Sequence, residues 1–282
     1  MAARPDVDEV LIEVVPVNDE KAGNGNIAMV TINRPNKLNA LNSAVVSALK
    51  QTCVWVEEND DIKLMIIRGS DPEPPAEGKR AKPKSFVAGA DISEFVGKDS
   101  KDIRESFEGN AWEAIWNLSK PTIAMVDGFA LGGGLEIALS CDLRIAGEDS
   151  RFSTPEINLG LIPGGGGTQR LSRLVGYGKA MEMIMGGEMI NAQEAHSIGL
   201  VNHVHPTGEL ESATLHLARN IASKSPHTLK VAKATIRAAL EHPLDKGITM
   251  EADAFAGLFD SEDKEIGVKA FLERQDPEWV GR

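Results

Sequence analysis

Three consecutive glycines, Gly132, Gly133 and Gly134, stand between an apolar run that reads as a strand, TIAMVDG, and one that reads as a helix, LEIALSCD. Glycine at a strand-to-helix turn lets main chain approach a ligand closely. The first N–H groups of the helix that follows are unpaired and lie at the positive end of its dipole. The stretch is therefore an anion-accepting cradle. It lacks the Gly-Lys-Ser/Thr of a P-loop and the G-x-G-x-x-G of a dinucleotide fingerprint. The anion that remains is a charge that develops during reaction, with the amides acting as an oxyanion hole.

A second backbone break supplies another donor. In VAGADI, Gly89 kinks a strand and turns the Ala90 amide outward. Two such amides polarise one carbonyl oxygen, and removing one donor of this type costs about 3–4 kcal/mol in the barrier. Two acids stand beside the glycine-rich turns. Glu136 lies in the first turn after the triple glycine, among Leu135, Ile137, Ala138 and Leu139. Glu156 lies in STPEINLGLIPGGGGTQRL, among Ile157, Leu159, Leu161 and Ile162. Either acid alone reads as a helix N-terminal carboxylate or a loop cap. Together, in apolar surroundings, their proton affinities are pushed apart or upward, which suits general acid–base work near neutral pH. The four glycines of residues 164–167 also read as a plain flexible turn before a helix over residues 168–174.

The rest of the chain supports an α/β fold. Residues 11–17 and 27–33 alternate as strands do, separated by the turn KAGNGN. Asn42 and Ser43 cap a helix that runs to about Glu58. LMIIRG is a buried strand, FVAGADI starts as another, and DLRIAGEDSRFSTPE holds two more. Residues 104–118 read as one helix with Phe107, Trp112, Ile115 and Trp116 on its apolar side. From Lys179 onward the pattern is helical, interrupted only by the strand VNHVH. The strand–strand–helix rhythm favours an α/β spiral over a doubly wound sheet. We divide it into a core of residues 1–200 and a helical subdomain of residues 201–282.

Composition narrows the function classes. With 282 residues and a net charge of −12, the chain is a poor partner for nucleic acid or anionic membrane. MAARPDVDEV holds no apolar core of signal-peptide length, and the best membrane candidate, around residues 126–143, is interrupted by Asp127, Glu136 and Asp142. Cys53 and Cys141 read as buried free thiols in a reducing cytoplasm. No metal site is expected: there is no CxxC, and His203 and His205, on one face of a strand, lack a third ligand at metal-site spacing. Residues 70–85, rich in Pro and charge, read as a solvated mobile loop. A sharper reading makes Lys79, Arg80, Lys82 and Lys84 a phosphate contact for a ligand beside FVAGADI. Met181, Met183, Met185 and Met189 read as core filling more than as a malleable pocket.

At these residues the chain resembles the enoyl-CoA hydratase (crotonase) family, through NRPNKLNAL, FVAGADI, GFALGGGLEIALSCD, PEINLGLIPGGGGTQRL and AFLERQDPEW. The resemblance covers residues 27–281. It implies a crotonase-like spiral of ββα units with a C-terminal helical trimerisation region, assembled as a homotrimer or homohexamer. By the same resemblance, the Ala90 and Gly133 amides hold a thioester oxygen, and Glu136 and Glu156 grip one water for syn addition to a 2-enoyl-CoA. Glu136 activates the water and Glu156 moves the C2 proton. Gly164 lines the acyl pocket. Lys37, Leu38 and Ala40, with Ala88, Asp91 and Ile92, fall where the family binds coenzyme A, and Phe271 and Arg274 reach the ligand from the last helix. No separate cofactor is implied, since coenzyme A is part of the substrate.

Two alternatives stay open. One is double-bond isomerisation on the same scaffold, with Glu156 shuttling a proton. The other is RNA binding, known in a branch of the family with a lysine-rich early helix. Here the matching segment, SAVVSALKQTCVWVEENDD, holds one lysine and ends acidic.

Overall fold

The computed structural model describes residues 2–17, 25–75, 78 and 80–282. The chain opens with an antiparallel pair, β1 (Val10–Pro16) and β2 (Asn26–Ile32), with Val10 opposite Ile32. Most of the expected KAGNGN turn lies outside the described residues. Helix α1 (Ser43–Glu58) follows, and the Asn42 side chain accepts from the Val45 N–H at 3.0 Å, as an N-cap should.

The chain then alternates between two sheets. β3 (Ile62–Gly69) joins the first sheet and β4 (Ser85–Val87) the second, after which come α2 (Ser100–Phe107) and α3 (Ala111–Asn117). β5 (Thr122–Val126) returns to the first sheet, β6 (Phe129–Leu131) to the second, and α4 (Gly133–Ser140) closes that turn. β7 (Leu143–Gly147) and β8 (Arg151–Ser153) repeat the step, followed by α5 (Gly167–Val175) and α6 (Tyr177–Gly186). Each turn thus adds one strand to each sheet and then a helix, which is the expected ββα spiral. β9 (Ile190–Asn191) closes the second sheet, antiparallel to β8. After α7 (Ala192–Ser197), β10 (His203–His205) closes the first, parallel to β7. Among the described residues the strand orders are β1-β2-β3-β5-β7-β10 and β4-β6-β8-β9. Four helices end the chain: α8 (Leu210–Ala222), α9 (Pro226–Ala238), α10 (Leu244–Leu258) and α11 (Glu262–Glu273).

Strand periodicity sorts the core. Successive strand side chains point to opposite faces. On β2, β3 and β5, Ile27, Met29, Leu64, Ile66, Ile123 and Met125 face α8, with Leu210, Ala218 and Ala222 opposite. Their neighbours Ala28, Val30, Met65, Ile67, Ala124 and Val126 face the second sheet, α1 and α4. Both faces of β2, β3 and β5 are therefore dry, which explains why these strands read as continuous apolar runs, whereas the edge strand β1 leaves one face exposed. All eight residues of α4 are buried, Glu136 among them. β10 and α8 pack against the same sheet as the residues before 200, whereas α10 has no buried residue and α11 buries only Asp263 and Ala270.

Several expectations change. Residues 104–118 form two helices, because Gly109 takes a left-handed φ of +54° and Asn110 caps α3 by accepting from the Glu113 N–H at 2.9 Å. The strands of DLRIAGEDSRFSTPE lie in different sheets, and β9 is a second strand inside the helical half. Of the four methionines only Met183 is buried, while Met181, Met185 and Met189 are exposed, so core filling holds for one of them. Cys53 and Cys141 are buried free thiols, and burial pushes each up to about 12, out of reach of ordinary thiolate chemistry. Among the described residues no cluster of three ligands could hold a metal, and no helix is long and apolar enough to cross a membrane.

Candidate active site

The site is built where α4 begins. Gly132 takes φ +51°, and its N–H donates to the Ser153 carbonyl at 2.9 Å, tying β6 to β8 at the turn. A Cβ built on Gly134 would lie 2.1 Å from the Val87 carbonyl oxygen, so α4 starts in main-chain contact with the end of β4. That contact brings the second break alongside. Gly89 has φ +102°, and the next residue is Ala90. A Cβ built on Gly133 would lie 3.7 Å from the Ala90 nitrogen. Among the described residues neither the Ala90 N–H nor the Gly133 N–H has a protein acceptor. Two unpaired amides, from segments more than forty residues apart, thus lie side by side.

The two acids flank them. Glu136 is 3% exposed, and its Oε1 accepts from the Gly167 N–H, at the start of α5, at 2.7 Å. Two helix N-termini favour its charged form, yet burial wins: desolvation, aided by the facing Glu156, pushes it up to about 7 against the opposing bond from Gly167. Glu156 lies on the short 3-10 turn Pro155–Leu159. Its Oε1 would sit 2.7 Å from a Cβ on Gly132, and its buried Oε2 has no partner. Burial raises its pKa too. An orphaned carboxyl oxygen beside a second proton-hungry carboxyl is the arrangement expected of a pair that handles a proton through a bound small molecule.

The comparisons with known proteins bear on this geometry. The family model described as Enoyl-CoA hydratase/isomerase matches residues 22–282. The chain belongs to the enoyl-CoA hydratase/isomerase family. The Short-chain-enoyl-CoA hydratase of Clostridium acetobutylicum is 42% identical over 253 residues, covering 89% of this chain and 93% of that one. The Crotonyl-CoA hydratase of Syntrophomonas wolfei is 38% identical, covering 91% and 95%. The solved structure of an enoyl-CoA hydratase from Bacillus anthracis superposes with a TM-score of 0.84 at 33% identity, covering 96% of this chain and 99% of that one.

The other residues matched to this family divide into two groups. Residues 37–41 and 88–92 lie together: the Ala88 N–H donates to the Leu38 carbonyl (3.1 Å), Leu41 to Gly89 (2.8 Å) and Asp91 to Leu41 (2.7 Å). Arg34 clasps both segments, donating to the Ala40 carbonyl at 2.6 Å and to Asp91 at 2.9 Å. The Ser93 hydroxyl and then Arg34 hold Asp91 down to about 2, so this acid is committed to the clasp. Lys37 and Ile92 are exposed beside it. Leu38 takes φ +52°, a left-handed conformation anchored by the neighbouring Asn39 amide, which donates to the Ser70 and Ser85 carbonyls. Phe271 and Arg274 do not join this cluster. Both are exposed at the end of α11, Phe271 by 83%, and among the described residues no hydrogen bond links α11 to either segment. The last helix stands away from the sheets because it buries so little of its surface.

In the basic loop, Lys84 is taken up by Asp127 (2.6 Å) and Asp71 (3.3 Å), and Lys82 donates to the Asn36 carbonyl at 2.8 Å. Arg80 is exposed, and Lys79 lies outside the described residues.

Trp112 and Phe107, expected on an apolar helix face, have a role that helical periodicity does not reveal. The Trp112 indole N–H donates to the Gly133 carbonyl at 3.0 Å, and a Cβ on Gly165 would lie 2.8 Å from its ring. A Cβ on the exposed Gly164 would lie 2.8 Å from Phe107. The glycine run therefore serves close packing against two aromatic rings. The signal was present in the coincidence of two large aromatics with a side-chain-free segment. A cavity of about 1020 Å³ lies behind this loop between α5, β7 and α9, and neither Glu136 nor Glu156 lines it.

Proposed function

We propose that the protein is an enoyl-CoA hydratase, a hydro-lyase that adds water reversibly to a 2-enoyl-CoA to give the 3-hydroxyacyl-CoA. The observation that carries this reading is the pairing of the buried Glu136 with the half-buried Glu156, whose Oε2 is out of reach of solvent, beside the two unpaired amides of Ala90 and Gly133. The thioester oxygen sits between the amides, which polarise the conjugated double bond and accept the enolate charge. Water rests between the carboxyls. Glu136 as carboxylate takes a proton from it while the oxygen bonds to C3. Protonated Glu156 gives its proton to C2 from the same face. The pair ends with its proton on Glu136 and is reset by exchange between the two.

The bonded segments at residues 37–41 and 88–92 flank the Ala90 amide, and we assign Lys37, Leu38, Ala40, Ala88, Asp91 and Ile92 to the coenzyme A side, with Gly164 toward the acyl end. No cofactor beyond the substrate's own coenzyme A enters the reaction. The inert buried thiols fit a cytoplasmic setting.

The test is direct. Purified protein should remove the conjugated enoyl absorbance of crotonyl-CoA. Its kcat/KM should fall about tenfold per unit below a pH near 7, because a carboxyl with a raised pKa loses its basic form on the acid side. A second fall on the alkaline side should follow as the acid of the pair ionises. Unchanged absorbance with migration of an isolated double bond would make the protein an isomerase and overturn the reading.

Assembly as a homotrimer or homohexamer is part of the proposal. Leu244, Phe255, Phe271 and Leu272 are 65–83% exposed on α10 and α11, an apolar surface that water leaves unsatisfied. Phe271 and Arg274 would then serve a neighbouring copy's site. Sedimentation equilibrium should give three or six chains per particle, and a monomer at micromolar concentration would refute the assembly.

A further inference from the structure

One arginine backs the loop against which Glu136 rests. The Arg170 guanidinium, from α5, donates to the Gly165 carbonyl at 2.8 Å and lies 4.8 Å from the centre of the Trp116 ring. It presses on the main chain: Gly166 has φ +100°, and a Cβ there would fall 2.3 Å from Arg170 Nη1. The same Trp116 ring meets a second guanidinium, Arg237 of α9, at 4.0 Å, and Arg237 is anchored on Asp142 at 2.8 Å. The loop so held ends in the Gly167 N–H that bonds Glu136.

We propose that Arg170 is a positioning residue for Glu136: its bond to Gly165 and its stacking on Trp116 fix the four-glycine loop that orients the carboxyl, and its charge keeps that carboxyl available as a base. The charged neighbours are few. Glu156, on the 3-10 turn after β8, raises the proton affinity of Glu136, and Arg170 lowers it. Arg170 itself is faced by Glu113 of α3 and Arg237 of α9. Arg144 of β7 bonds the far end of α4, at Ala138 and Cys141. β4, β5 and β6, which also pack on α4, carry no charged residue. Glu136 is buried and Arg170 half-buried, so the field of the guanidinium at the carboxyl is less screened than between two surface groups, and its effect on Glu136 should be measurable.

The turnover half of this inference rests on the hydratase reading; the carboxyl half does not. Infrared titration of the purified protein, with Glu136→Gln marking the band, follows Glu136 without substrate. Arg170→Gln should move that titration up by about half to one unit, since an opposite charge is lost nearby. The acid limb of kcat/KM should move with it, and kcat should fall about tenfold as the loop loosens. Arg170→Lys keeps the charge without the planar fork or the stacked contact. It should leave the titration near that of the parent and still lose kcat. Arg173→Gln, on the same helix but bonded to Gln169 and Leu240, is the control that changes neither. An unmoved Glu136 titration in folded Arg170→Gln, or a loss of activity uniform across pH in proportion to the unfolded fraction, overturns the proposal. If Arg170→Gln does not fold, parent-like kcat in Arg170→Lys does so. A parent enzyme without hydratase activity would refute the functional reading and leave the titration test intact.

Discussion

Replacing Glu136 by glutamine should lower kcat for crotonyl-CoA hydration by about 10³-fold, within the usual range for a lost general base. Acyl-CoA affinity should stay near that of the parent, because the amides proposed to hold the thioester are main chain and the glutamine oxygen can still accept from Gly167. The same substitution has a signature in stability. The folded-state pKa of Glu136, about 7, lies above its ordinary value of 4.5. The folded protein therefore binds more protons than the unfolded chain between those values, and stability falls as pH rises through that window. A neutral amide removes that loss. Glu136→Gln should melt above the parent at pH 8, with the gap closing by pH 5. Near-parental turnover would rule out the two-carboxyl mechanism, and an equal melting difference at both pH values would rule out the buried ionisation.

A large structural effect is expected at Gly134. A methyl group there meets the Val87 carbonyl oxygen at 2.1 Å and the Val87 carbonyl carbon and Cβ at 2.7 Å. Val87 is the last residue of a fully buried strand, so the clash cannot be relieved by turning a surface side chain. Helix α4 and strand β4 must part. Gly134→Ala should cost about 3 kcal/mol, the upper range for overpacking, and lower the melting temperature by roughly 6–12 °C in a domain of this size. Activity should fall further than the unfolded fraction accounts for, because β4 leads into Ala90. Gly178→Ala is the matched comparison: it lies in α6 with nothing within 4 Å, and helix propensity favours alanine there. A Gly134→Ala protein that melts with the parent would show that the close approach of α4 to β4 is dispensable.

How much was legible depended on whether the information is local. The Asn42 cap and the whole of α1 were readable, because a cap and an apolar stripe act within one helix. The break at Gly109 and Asn110 is equally local, but the apolar residues on either side share a helical spacing that masks it. The exposed methionines of α6 carry no local mark of their exposure, since period and composition are the same for a helix that faces a core and one that faces water. The pairing of the two glutamates was implied by the family resemblance; the apolar sequence neighbours of Glu156, Ile157, Leu159, Leu161 and Ile162, are themselves exposed, and the burial that raises its pKa comes from elsewhere in the fold. What each carboxyl touches was not readable: Gly167 donates to Glu136 across thirty-one residues of chain.

The amino-acid sequence by itself determined the alternation of strands and helices, the positions where the backbone must turn without a side chain, and the presence of two acids among apolar neighbours. These are consequences of periodicity, of glycine's conformational range and of transfer free energy, all of which act over a few residues. Only the tertiary structure decided that the Ala90 and Gly133 amides lie side by side, that Trp112 and Arg170 brace the glycine segments, and that Phe271 and Arg274 stand outside this chain's own cradle. Those outcomes depend on how α4 seats between two sheets and on how little α11 buries, and both are set by long-range packing.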